Sequence, residues 1–174
     1  MRSVSLLLVF ALGAVACGPS DPPPKPLGKS TVPPNRPTTA EGLSTAVLAS
    51  MKANDPQAAI DLLVTVFDIG RVCPKMNPKF LSHRDKLVTD TKAAFGECMG
   101  LADWSAPKVV STKGGDPYTG SNYCEGAQPL NDIHLVVQTG GKTIEVVIDD
   151  PLNINGAVLM GESPKCKLAA APAP

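Results

Sequence analysis

The segment 132–149, DIHLVVQTGGKTIEVVID, constrains the fold more than any other part of this 174-residue chain. Apolar and polar residues alternate on both sides of Gly140-Gly141, the pattern of two antiparallel strands joined by a two-residue turn. That turn fixes a register. It sets Val137 against Ile144, Leu135 against Val146 and Ile133 against Ile148, so apolar meets apolar on one face. The other face pairs Gln138 with Thr143, Val136 with Glu145, His134 with Val147 and Asp132 with Asp149. Such a hairpin has one face in a core and one facing water.

Helical patterns precede it. Over 40–53, Leu43, Val47, Leu48 and Met51 form an apolar stripe, with Thr38 and Glu41 in a capping-box pattern at its start. Asn54-Asp55-Pro56 ends that helix and starts a second, which the spacing of Ile60, Leu63, Val64 and Phe67 extends to about Ile69, with Gly70 as its stop. A third helix is predicted from Ser82–Asp85 to about Met99, with Leu87, Thr91, Ala94, Phe95 and Cys98 on one side. Short strands are predicted at 108–112, at 123–125 and at 156–161, around the hairpin. The fold class is therefore α+β: three N-terminal helices on one face of a four- to five-stranded antiparallel sheet, over 38–167.

This order and size resemble the NTF2-like, cystatin-superfamily-type cone-shaped domains. The resemblance implies a pocket between helices and sheet, lined here by Ile133, Leu135, Val137, Ile144, Val146 and Ile148. Such folds host both enzymes and binding modules, so the likeness leaves function open.

The N-terminus has a different character. Arg2 precedes an apolar run of ten residues, 6–15, half the length that spans a bilayer. Residues 1–16 read as a signal peptide. Ala14-Val15-Ala16-Cys17 resembles a bacterial lipobox, with Ala14 where that motif usually has Leu. The resemblance implies that Cys17 becomes the lipidated first residue of an exported chain, anchored to the cell envelope without a transmembrane helix. Gly18 lacks the inner-membrane retention signal of enteric bacteria, so a cell with two membranes would hold it on the outer membrane facing the periplasm. Residues 17–37 form a tether with eight of the eighteen prolines and a net charge of +2. Residues 168–174 read as a disordered tail.

Five cysteines are an odd number for an exported protein. Lipidation of Cys17 leaves Cys73, Cys98, Cys124 and Cys166, which an oxidising compartment turns into two disulfides. Cys98–Cys124 with Cys73–Cys166 and Cys73–Cys98 with Cys124–Cys166 are both reasonable among the three connectivities. No pair has the Cys-x₂₋₄-Cys spacing of a zinc site, so no metal is expected.

The net charge of zero and only seven aromatic residues argue against a nucleic-acid partner. There is no phosphate loop, serine-nucleophile elbow or zinc-protease motif, and no cofactor is expected. One polar cluster stands out. The hairpin register places Glu145 and Asp149 diagonally across from His134, within reach of an acid–base pair. All three lie on the wet face, where polar residues belong and where pKa tuning lacks the burial it needs. The leading expectation is a non-catalytic binding or interaction module, tethered to the membrane through its N-terminal lipid, with an envelope protein or a small apolar ligand as partner. The alternative is an envelope enzyme working through His134, Glu145 and Asp149.

Overall fold

A computed structural model describes residues 35–73, 78–120 and 124–169. The segments read as signal peptide and tether, Cys17 included, lie outside the described residues up to residue 34, as do residues 170–174. The elements run α1 (Ala40–Ala53), α2 (Pro56–Asp61), α3 (Val66–Val72), α4 (Pro78–Leu101), β1 (Lys108–Lys113), β2 (Ala127–Pro129), β3 (Ile133–Thr139), β4 (Lys142–Ile148), β5 (Leu152–Ile154), β6 (Ala157–Leu159) and β7 (Lys165–Leu168). The fold is α+β with antiparallel sheets and two disulfides. Among the described residues the helices number four and the strands divide into two sheets, where three helices and one sheet were expected.

The larger sheet has the order β1-β3-β4-β7. Its centre is the hairpin, in the register read from sequence: Ile133 faces Ile148, Leu135 faces Val146 and Val137 faces Ile144. Gly140 and Gly141 both take positive φ, 53° and 73°, as a two-residue turn of this hand requires. Gly140 is doubly constrained, because a Cβ there would lie 2.8 Å from the backbone nitrogen of Asp103. The turn is strapped to the end of α4. Lys142 Nζ donates to the Leu101 carbonyl (2.6 Å) and Thr139 Oγ1 to the Asp103 carbonyl (2.5 Å). A lysine at a helix C-terminus also meets the negative end of the helix dipole.

The inward side chains of the hairpin are fully buried against Leu43, Val47 and Met51 of α1 and against Trp104, whose Nε1 donates to the Cys98 carbonyl (2.9 Å). On α4, Leu87, Thr91, Phe95 and Cys98 are buried on one side, as the spacing predicts. That helix starts at Pro78 rather than near Ser82, with its proline at a position where the missing N–H costs nothing.

The first cap moves by one residue. Thr39, not Thr38, accepts from the Gly42 N–H (3.0 Å). Asn54 closes α1 in the left-handed conformation and Asp55 caps α2, as the joint predicts. The expected helix 56–69 is in fact two. α2 ends at Asp61, and the chain then bridges in parallel to the far end of the domain. Val64 N–H donates to the Met160 carbonyl (2.8 Å) and Met160 N–H to the Leu62 carbonyl (2.9 Å). Thr65 and Asp68 form a capping box that restarts the helix as α3. The restart changes the helical phase, so Phe67, predicted inward, is 62 % exposed and lies under the Arg71 guanidinium instead. α3 also passes through Gly70, the predicted stop, to Val72.

β2, β5 and β6 form the second sheet. It covers a separate cluster of Val64, Ile69, Cys73, Ala127, Leu152, Ile154, Ala157 and Leu159. Of the segment 123–125, expected to begin a strand, Tyr123 lies outside the described residues, Cys124 makes an isolated bridge, and the paired strand starts at Ala127. The domain's contacts extend slightly past 38–167. The Val158 N–H donates to the Pro37 carbonyl (2.8 Å), and Leu168 ends β7.

Candidate functional site

Of the residues singled out from sequence, Cys17 lies outside the described part. The other cysteines pair as Cys73–Cys124 and Cys98–Cys166, with Cα separations of 5.7 and 5.2 Å. This is the third connectivity, neither of the two that loop geometry made reasonable. Cys98–Cys166 fastens α4 to the edge strand β7, and Cys73–Cys124 fastens the end of α3 to the approach to β2.

The wet face of the hairpin brings together only part of the expected cluster. His134 Nδ1 lies 3.0 Å from Glu145 Oε1, and Lys167 Nζ donates to the other oxygen of Glu145 at 3.0 Å. Asp149 is drawn away into an ion pair with Lys165. Sequence reasoning missed both lysines, because β7 was not expected and its pairing with β4 sets Lys167 opposite Glu145 and Lys165 opposite Val147. The His134 side chain is 45 % exposed. Hydrogen bonds from His134 and Lys167 hold the Glu145 carboxyl below the ordinary carboxylate range, so it is a poor proton acceptor. The Asp149 pair pushes Lys165 up. With Glu145 bonded to Lys167 and Asp149 to Lys165, the face is a solvated ion-pair row rather than an acid–base couple.

The expected pocket between helices and sheet is occupied by the core itself. Ile133, Leu135, Val137, Ile144, Val146 and Ile148 are each 0 % exposed. An open concavity lies on the other side of α1. It is a groove of about 700 Å³ between α1 and α2, walled by Ala46, Ala49 and Ala53, by Ala58 and Ile60, and by Arg36 at the point where the chain joins the domain. The alanines recur along one helical face that carries no large side chain, which keeps the groove open. Sequence reasoning passed over that face because it read α1 only for its buried stripe.

Arg36 is built in. Its Nη1 donates to Asp68 Oδ1 at 2.6 Å, while Asp68 Oδ2 accepts from the Thr65 hydroxyl (2.6 Å) and the Thr65 N–H (2.8 Å). Burial would raise the Asp68 carboxyl, but the bonds from Arg36 and Thr65 and the charge of Arg36 outweigh it and hold it below its ordinary value. A smaller polar hollow of about 330 Å³ lies beside Cys124, lined by Gln128, Asn153 and Asn155. Among the described residues no helix is long and apolar enough to cross a membrane, and no cluster of His, Cys, Asp and Glu has the makings of a metal site.

No known family model matches this chain, and neither does any curated protein or solved structure.

Proposed function

We propose that the chain is a cell-envelope lipoprotein, anchored through Cys17, whose domain is a non-catalytic protein-interaction module. The observation that supports the module reading best is the filled interior. All six inward hairpin residues are fully buried against α1 and Trp104, which favours a protein partner over a small apolar ligand held between the layers. What the fold offers instead is an open, alanine-walled groove on α1 and α2, shaped for an extended segment of another polypeptide. The His134–Glu145–Lys167 row supports the same reading, since its polar groups bond to one another.

Intact mass spectrometry of the protein extracted from its native membranes tests the anchor. The reading expects acyl mass on Cys17 and a loss of four hydrogens, two for each bridge. A mature chain that begins with an unmodified Cys17 overturns it. Ala49→Glu tests the module, because a carboxylate in the groove wall leaves the core untouched and should reduce cross-linking to an envelope partner in whole cells. An unchanged yield removes the groove from the account.

A further inference from the structure

The groove lies where the preceding chain arrives. Asn35 and Arg36 form part of its wall, and the backbone turns at Asn35 and bends at Arg36 before α1 begins. Arg36 is pinned by Asp68 and the Pro37 carbonyl by Val158, so the last residues before α1 are fixed to the domain. Thirty-four residues precede Asn35, and those next to it are Leu27, Gly28, Lys29, Ser30, Thr31, Val32, Pro33 and Pro34. Leu27 and Val32 are the only large apolar side chains between Pro19 and Pro37.

We propose that the groove is taken by the chain's own segment, residues 27–34, which folds back over α1 and is displaced when a partner binds. This deepens the reading above by giving the interaction site a built-in competitor. Reach is ample. In polyproline II form Val32 lies within about 9 Å of Asn35 and Leu27 within about 25 Å, at about 3.1 Å per residue. The wall from Ala46 to Ala53 is about 10 Å long at 1.5 Å per residue. Pro33 restricts Val32 to an extended conformation, so little freedom is lost on docking. A short covalent link also gives an effective concentration in the millimolar range, so contacts too weak to hold a separate peptide suffice. A partner that takes the groove releases the segment, and the tether then lengthens. Binding and distance from the anchor become one equilibrium.

A photoreactive, diazirine-bearing amino acid at Ala53, on the exposed rim of the groove, tests this in the full chain purified in detergent. A second chain carries the same residue at Val110 on β1, which is 54 % exposed. Cross-links are mapped by mass spectrometry on the monomer and dimer bands separately. The proposal expects intramolecular adducts on residues 26–34 from position 53, roughly tenfold above those from position 110. It also expects the double variant Leu27→Asp, Val32→Asp to lower them by about tenfold, as two apolar contacts are lost. Equal yields from the two positions, adducts that join two chains, or a yield unmoved by the double variant each overturn it. No partner is needed for this measurement, so a failed partner capture and a failed fold-back are separate results.

Discussion

The domain holds two hydrophobic clusters that differ in kind. Among the described residues the larger counts twenty-one buried members, with Phe95 and Trp104 among them, and the smaller has eight, none of them aromatic. Each contains one disulfide, Cys98–Cys166 in the larger and Cys73–Cys124 in the smaller. β6 is the wall between them. Its Val158 faces the large cluster while Ala157 and Leu159 face the small one, and all three are buried. The bridge from Leu63 to Met160 is the second join. The large cluster can stand on packing. The small one leans on its neighbour and its crosslink, since a handful of medium-sized side chains buries too little to offset the entropy of ordering three short strands.

The comparison is broken most severely by attacking the large cluster. Trp104→Ala removes a side chain that is 1 % exposed, together with its bond to the Cys98 carbonyl, and should cost about 3–5 kcal/mol in denaturant unfolding. A loss under about 1 kcal/mol would mean the core is not packed as described.

Removing either disulfide comes next. The bridged residues lie 51 and 68 positions apart, and chain entropy alone assigns each bridge about 4 kcal/mol. Nearly equal loops mean nearly equal effects on the unfolded state, so any difference between Cys73→Ser/Cys124→Ser and Cys98→Ser/Cys166→Ser reports on the folded clusters. The first pair should loosen one region and the second should lower stability throughout.

Asp68→Ala should cost about 1–2 kcal/mol, because it removes half of the α3 capping box and the partner of Arg36. The pH dependence follows from the lowered Asp68 carboxyl. Its contribution is present above the unfolded value near 3.9 and is lost as pH falls through the lower folded value. Acid titration of wild type and Asp68→Ala should therefore converge below that range. Curves that stay parallel would show that the carboxylate charge is not what holds α3 and Arg36.

The smallest effect is expected at the wet face. His134→Ala should change stability by less than about 0.5 kcal/mol, since exposed pairs of this kind contribute little, and should leave any activity found for the chain unchanged. A large loss of activity would restore the enzyme alternative.

The large cluster was legible in the sequence and the small one was not, for a physical reason. The hairpin carries its register locally, in Gly140-Gly141 and the alternation around it, and α1 carries its boundaries in Asn54 and the stripe from Leu43 to Met51. The small cluster is assembled from distant pieces. Leu62 to Val64 fit a helical stripe as well as a strand, and only the bridge to Met160, nearly a hundred residues further on, decides between them. Thr65 and Asp68 were a readable restart signal, obscured by the continuing apolar period. β7 alternates for only the four residues Lys165–Leu168, too short a pattern to announce a strand beside the tail, so Lys165, Lys167 and their effect on Glu145 and Asp149 were invisible, as was the pairing of Cys166 with Cys98. The alanines that wall the groove were in plain sight, but a face without large side chains gives no packing signal until α2 and Arg36 are set beside it.

Native-state hydrogen exchange on the Cys73→Ser/Cys124→Ser variant tests the two-cluster account most directly. The amides of β2, β5 and β6 should lose protection while those of β3 and β4, which pair across the core hairpin, keep theirs. Equal loss across both sheets would contradict it and make the domain a single cooperative unit.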